Sequence, residues 1–312
     1  MPPAPRLKPV RVPRSVLARP RFVLALALAV ALAIALFACG SSSAGAGGGG
    51  GDDAGDDGPV FGGDRPVTLR VPAGYDPQKP APLVMMLHGY GSANLLTEYY
   101  FKMSSLADEH GFFYVAPNGT FDSKGSRFWN ATDACCNFDG SPVDDVGYLT
   151  SLIADIRAAY NIDPARIYVM GHSNGGYMSH RLACDHAELF AAIASYAGAV
   201  WSDPGKCNPS APVGILQVHG TADQEVLYDG TMSPAPAADG GADGGVDAGA
   251  GLGAVYPGAK QTVALWAQKN GCADALTDTG TTMHVSVDGQ GNETSVSRHD
   301  GCTKNGAAEL WT

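Results

Sequence analysis

The sequence predicts an α/β fold, a mostly parallel sheet covered by helices on both faces. Three observations carry this. Short, mostly apolar runs recur at residues 83–87, 112–116, 167–170, 191–197 and 213–218, as strands buried on both faces require. Between them lie stretches whose apolar residues fall three and four apart, the spacing of one helical face. Several of the runs lead straight into glycine turns, at the strand ends where open parallel sheets place their sites.

The elements follow in order. Residues 67–71 alternate like a half-exposed edge strand, and 83–87 is a buried strand followed at once by His88-Gly89-Tyr90-Gly91. A helix is expected around 99–110, then the strand 112–116. Phe128-Trp129-Asn130 through Cys135-Cys136 to Gly140 reads as a pinned surface loop. Val146, Leu149, Ile153, Ile156 and Tyr160 mark an amphipathic helix over 143–160. Asp144 and Asp145 at its start read as capping and dipole partners. The strand 167–170, a helix over 177–187 and the strands 191–197 and 213–218 follow, and the last of these ends in His219-Gly220-Thr221-Ala222-Asp223. A helix over 261–270, two alternating stretches at 283–287 and 294–297, and a final strand at 307–311 complete the sheet.

The 312 residues do not all belong to this core. Six basic residues precede an apolar run over 22–38 that ends in Ala38-Cys39-Gly40, which reads as a lipoprotein-type signal over 1–39 with Cys39 as the lipidated residue. The alternative is a retained membrane anchor. Residues 40–63 are Gly, Ala, Ser and Asp with almost nothing apolar, a composition that cannot offset the entropy of folding, so a tether is expected. Residues 233–254 have the same character and read as a low-complexity insertion. The folded domain is therefore 64–312. Membrane contact is expected only through the lipidated N-terminus, and the domain is expected outside the cytoplasm, secreted or held at the cell envelope. With Cys39 set aside, Cys135, Cys136, Cys184, Cys207, Cys272 and Cys302 form an even set suited to disulfides in an oxidising compartment. The one pairing expected is Cys272 with Cys302. No Cys-x2-Cys pair marks a zinc site, so no metal is expected, and no motif asks for a cofactor. A net charge of −11 argues against nucleic acid as a partner, because a phosphate backbone needs a basic face.

Gly171-His172-Ser173-Asn174-Gly175 follows the strand 167–170 and precedes a helix. That is the pattern of a nucleophile elbow, with Ser173 as nucleophile. A serine hydroxyl needs a base, a carboxylate to orient the base, and donors for the oxyanion. Asp223, just past a strand end, is the candidate acid, with Glu225 its rival later in the same turn. The backbone N–H groups of Asn174 and Tyr90 are the candidate oxyanion donors. Tyr90, Trp129 and Trp201 are candidates for lining a substrate cleft.

Leu87-His88-Gly89, Phe128-Trp129-Asn130, Val143 to Tyr148, Gly171 to Met178, Leu182-Ala183-Cys184, His219 to Asp223 and Asn270-Gly271-Cys272 together resemble the polyhydroxybutyrate depolymerase family of esterases. That family is grouped with feruloyl and acetyl xylan esterases in carbohydrate esterase family 1. The resemblance runs from about Val67 to Thr312, interrupted by the insertion. It implies an α/β-hydrolase fold and a secreted carboxylic ester hydrolase acting on polyester or polysaccharide-linked esters, with Ser173 as nucleophile and Asp223 as acid.

The family's catalytic histidine follows a Glu-Leu-Trp strand, and here that strand is Glu309-Leu310-Trp311, one residue before the last. The triad histidine is therefore expected to be absent from these 312 residues. His88, His172 and His219 flank motif glycines, His110, His180 and His186 precede the acid, and His284 and His299 precede the final strand. Two other readings follow. A binding lipoprotein would keep the fold without catalysis, and a serine peptidase would use the same elbow, although no gating domain accompanies it.

Overall fold

The computed structural model describes residues 58–231, 255–285 and 291–312. The signal segment, Cys39, most of the tether and the insertion lie outside these residues. A ten-stranded sheet runs through the described domain in the order β1-β2-β4-β3-β7-β8-β9-β12-β11-β10. Its centre is parallel: β4 (Phe113–Val115), β3 (Ala81–Leu87), β7 (Ile162–His172), β8 (Ala192–Tyr196), β9 (Gly214–Val218) and β12 (Ala307–Trp311). Antiparallel strands close both sides. These are β1 (Val60–Phe61) and β2 (Val67–Arg70) on one, β11 (Thr294–His299) and β10 (Leu276–Met283) on the other. A small hairpin, β5 (Thr120–Phe121) with β6 (Arg127–Phe128), stands apart.

The central strands are apolar because both faces are covered. Leu83, Met85, Met86 and Leu87 of β3 are fully buried, and so is Val169 of β7. The helix α3 (Asp145–Ala159) buries Val146, Leu149, Ile153 and Ile156, as its sequence spacing predicts, and Leu152 beside them, while Tyr160 lies just past its end. The helix α4 (Asn174–Asp185) packs on β7 and β8, and α5 (Ala259–Lys269) packs on β12.

Five expectations need correction. The tether ends earlier than residue 63, since Val60 and Phe61 already pair with β2. The helix expected over 99–110 is two, α1 (Asn94–Phe101) and α2 (Met103–His110), broken where Lys102 takes φ 49. The strand expected at 283–287 lies instead at 276–283; it is Thr-rich, mostly exposed and on the sheet edge, so it carries no apolar alternation. The loop 128–136 is not a surface loop. Phe128, Trp129, Ala131, Ala134, Cys135 and Cys136 are all buried, because the loop lies against the elbow. Asp145 is more than a helix-start partner: its fully buried carboxylate pairs with Arg65 at 2.5 Å and accepts the Asn130 N–H at 2.7 Å. Asp144 does cap α3, accepting the Gly147 N–H at 2.8 Å. Disulfides join Cys272 to Cys302, as expected, and also Cys184 to Cys207 and Cys135 to Cys136.

Candidate active site

The strands β7, β8, β9 and β12 end level with one another, and backbone hydrogen bonds tie those ends together. Ser173 N–H donates to Tyr196 C=O at 2.8 Å, Ala197 N–H to Val218 C=O at 2.9 Å, and His219 N–H to Trp311 C=O at 2.9 Å. The segments bearing Ser173 and Asp223 therefore leave one edge of the sheet.

Ser173 has φ 52 and ψ −119, a backbone conformation that costs a non-glycine residue on the order of 1–3 kcal/mol. The turn closes so tightly that a Cβ on Gly171 would lie 2.2 Å from the Gly175 carbonyl oxygen, and one on Gly175 would lie 2.2 Å from that of Leu87. Only glycine fits at either place, so the Gly-x-Ser-x-Gly spacing is a steric requirement of this turn. Ser173 is partly exposed, and among the described residues its hydroxyl has no hydrogen-bond partner. The helix α4 begins at Asn174, so the Asn174 N–H belongs to its unsatisfied first turn.

Asp223 sits in a tight turn of its own making. One carboxylate oxygen accepts the N–H of Glu225 at 2.9 Å and that of Val226 at 3.0 Å. Its other oxygen is 3.6 Å from Nε2 of His219. Glu225 is exposed and serves this turn through its backbone. The His219 ring is buried and held below the ordinary histidine pKa chiefly by that burial.

Tyr90 follows Gly89, whose Cα lies against the elbow: a Cβ there would be 3.4 Å from Ser173 Cβ. The Tyr90 hydroxyl donates to Asp122 at 2.5 Å, and its ring meets Phe138 edge-on at 5.2 Å. Trp129 does not line a cleft. It is fully buried, its indole N–H donates to the His88 carbonyl at 3.1 Å, and both ends of the Asn174 amide grip its backbone. Trp201 is half-buried, with the Arg181 and Lys206 cations over its ring. A cavity of about 260 Å³ lies next to Tyr90's partner Phe138, lined by Asn130, Asp133, the Cys135–Cys136 disulfide and Asn137 among others.

Sequence reasoning missed a buried polar chain behind the site. Trp266 Nε1–H donates to His180 Nδ1 at 3.0 Å, so His180 Nε2–H faces Gln217 Oε1 at 3.0 Å. Gln217 donates to the Gly198 carbonyl at 2.8 Å and faces His219 Nδ1 at 3.2 Å. His219 then donates from Nε2 to the Val226 carbonyl at 2.7 Å. The available signal was Gln217, a lone polar residue inside an otherwise apolar strand. Among the described residues no cluster of His, Cys, Asp and Glu suits a metal ion.

The esterase PHB depolymerase family model matches residues 67–231, more than half of the chain. The putative esterase NocK of Nocardia uniformis subsp. tsuyamanensis is 31% identical over 156 residues, covering 50% of this chain and 44% of that protein. Feruloyl esterase B of Piromyces equi is 30% identical over 211 residues, covering 67% of this chain and 36% of that protein. The match thus spans less than half the length of either relative. An acetyl xylan esterase from Aspergillus awamori superposes with a TM-score of 0.52 over 81% of this chain and 91% of its own, at 14% identity. The two share the α/β-hydrolase fold.

Proposed function

The chain belongs to the esterase PHB depolymerase family, and from that premise we propose that it is an extracytoplasmic serine carboxylic ester hydrolase working through an acyl-enzyme. Ser173 attacks the ester carbonyl, the Tyr90 and Asn174 N–H groups receive the oxyanion, and water releases the acyl group. Asp223 orients the base. The observation that carries the reading is the strained Ser173 backbone, held between glycines with no room for a side chain at the edge where the Asp223 turn also emerges. Strain of this kind persists where the surrounding structure over-determines it, as catalytic turns do.

The substrate is a polyester or a polysaccharide-linked ester, in keeping with what the relatives are named for. Three disulfides support a compartment outside the cytoplasm. Lipidation at Cys39 would hold the enzyme at the cell envelope, and Cys39→Ala would then release it from the membrane fraction.

A second reading rests on the histidines. All eight lie among the described residues, and none hydrogen-bonds to Ser173 or Asp223. His88, His180 and His219 are buried in other bonds. His299 bonds to the Ala273 carbonyl and His284 to Glu293, both on the antiparallel side of the sheet. His172 is exposed beside Ser173 without bonding to it. A base from outside these eight is needed for full-rate turnover, and without one the chain is a surface protein that binds esters on an esterase fold. Fluorophosphonate labelling separates the two: labelling that Ser173→Ala abolishes supports the hydrolase, and an unreactive Ser173 supports the binding protein. Hydrolysis of methyl ferulate, acetylated xylan and hydroxybutyrate oligomers would then rank the substrates. Cleavage of a prolyl amide in preference to these esters would favour a peptidase.

A further inference from the structure

His88 follows β3 directly and is fully buried, yet nothing in the chemistry above uses it. Its ring has two partners of opposite kind. The Gly119 N–H points at Nε2 from 2.9 Å, and because that group can only donate, Nε2 carries a lone pair. The ring is neutral, so its proton is on Nδ1, 2.7 Å from the Gly89 carbonyl oxygen. That carbonyl also accepts the Ser92 N–H at 3.1 Å. Two donors therefore fix one end of the Gly89–Tyr90 peptide unit. In a planar trans peptide the C=O and the following N–H point in opposite directions. The Tyr90 N–H is thereby turned away from His88, and among the described residues it has no acceptor.

We infer that His88 is a positioning residue for the oxyanion hole, and that its Nδ1–H holds the Gly89–Tyr90 peptide so that the Tyr90 N–H stays free for the substrate oxygen. The inference rests on the reading of Ser173 as nucleophile and Tyr90 as donor. The same residue reaches the second donor. Trp129 lies over the His88 ring, with centroids 5.1 Å apart, and its indole N–H holds the His88 carbonyl. The Trp129 backbone is in turn clamped by the Asn174 side chain at 2.7 and 3.0 Å. One buried unit, His88–Trp129–Asn174, braces the peptide groups of both oxyanion donors. A flipped Gly89–Tyr90 peptide would leave its carbonyl where the oxyanion forms, and the brace opposes that flip.

The test compares His88→Asn, whose amide N–H can replace Nδ1–H, with His88→Leu, which fills the space and donates nothing. The first readout is the Tyr90 amide in a ¹⁵N–¹H spectrum of the full chain, with ring ¹⁵N shifts reporting the tautomer. The expected result is an Nδ1–H ring, a Tyr90 amide displaced in His88→Leu, and its return toward the wild-type position in His88→Asn. An Nε2–H ring, or a Tyr90 amide that both variants leave in place, would overturn the assignment. The second readout is turnover of p-nitrophenyl acetate. His88→Leu is expected to lower kcat by on the order of 10²-fold with KM within about threefold, and His88→Asn to recover at least tenfold of that. Equal kcat in the two variants, or a loss confined to KM, would also overturn it. If the wild-type chain neither turns over nor labels, the hydrolase reading falls, and the Tyr90 amide still decides what His88 does.

Discussion

His219 stands 3.6 Å from the Asp223 carboxylate but gives its ring N–H to the Val226 carbonyl, 2.7 Å away. Its other nitrogen faces Gln217 at 3.2 Å, so the ring is neutral and its tautomer is fixed. His219 therefore does not pair with Asp223; it anchors the turn that Asp223 closes. His219→Ala should raise hydrogen exchange at the Glu225 and Val226 amides by on the order of tenfold, as expected for one lost hydrogen bond at a local opening. The check is exchange measured by NMR or mass spectrometry. Unchanged protection at these two amides would mean that Asp223 holds the turn alone.

The Asn174 side chain makes a paired contact with the Trp129 backbone in the interior. Asn174→Ala leaves a buried N–H and a buried C=O without partners, which should cost about 2–5 kcal/mol of stability. Trp129→Phe keeps both backbone contacts with Asn174 but removes the indole bond to the His88 carbonyl and leaves a void where the second ring packed, so it should also destabilise the chain. Urea midpoints at constant m would read both. An Asn174→Ala variant as stable as the native chain would show that the loop has another anchor.

The turns of the candidate site were legible in the sequence, and what packs behind them was hidden for physical reasons. Ser173 and Asp223 could be named as candidates because each follows a run of apolar residues and sits in a turn whose chemistry is local. The final strand was read at Ala307–Trp311, the bounds it has, from a short stretch whose Ala308, Leu310 and Trp311 are the buried positions. The edge strand β10 gave no such signal, being polar and exposed. The helix break at Lys102 was invisible because a lysine, not a glycine or proline, takes the left-handed conformation. Trp129 was misjudged because a sequence says that an aromatic is present, not which wall it meets. The brace behind the site joins residues 41 and 45 positions apart, beyond the reach of any local pattern.

Ser173 has φ 52, so a residue without Cβ is better suited to its backbone than serine is. Ser173→Gly should abolish fluorophosphonate labelling and at the same time raise stability by about 1 kcal/mol. Ser173→Ala should also abolish labelling, but it keeps the strain and should leave the thermal midpoint close to that of the native chain. Measuring both thermal midpoints isolates the backbone contribution. A Ser173→Gly variant less stable than Ser173→Ala would show that the elbow is not strained as the dihedrals indicate.

Burial pushes the His88 and His180 rings down to about 4, against Gly89 and Gln217 bonds that oppose the shift; Arg127 further disfavours charge on His88. Both folded values lie below the unfolded value of about 6.5, so folding favours the neutral rings. Their contribution is complete above pH 6.5 and is lost as the pH falls from there through about 4. Each ring should forfeit about 3 kcal/mol over that window. His284 runs the other way: Glu293 raises its pKa, and what it adds is present below pH 6.5 and fades as the pH rises through the folded value. Because His284 is exposed, the buried pair should dominate, and stability should climb steadily between pH 4 and 6.5. Urea unfolding across that range gives the slope, and ¹⁵N titration of the two rings assigns it. A His88 or His180 ring that protonates near pH 6.5 in the folded chain would contradict the fixed tautomers on which both the Gly89 anchor and the Gln217 chain depend.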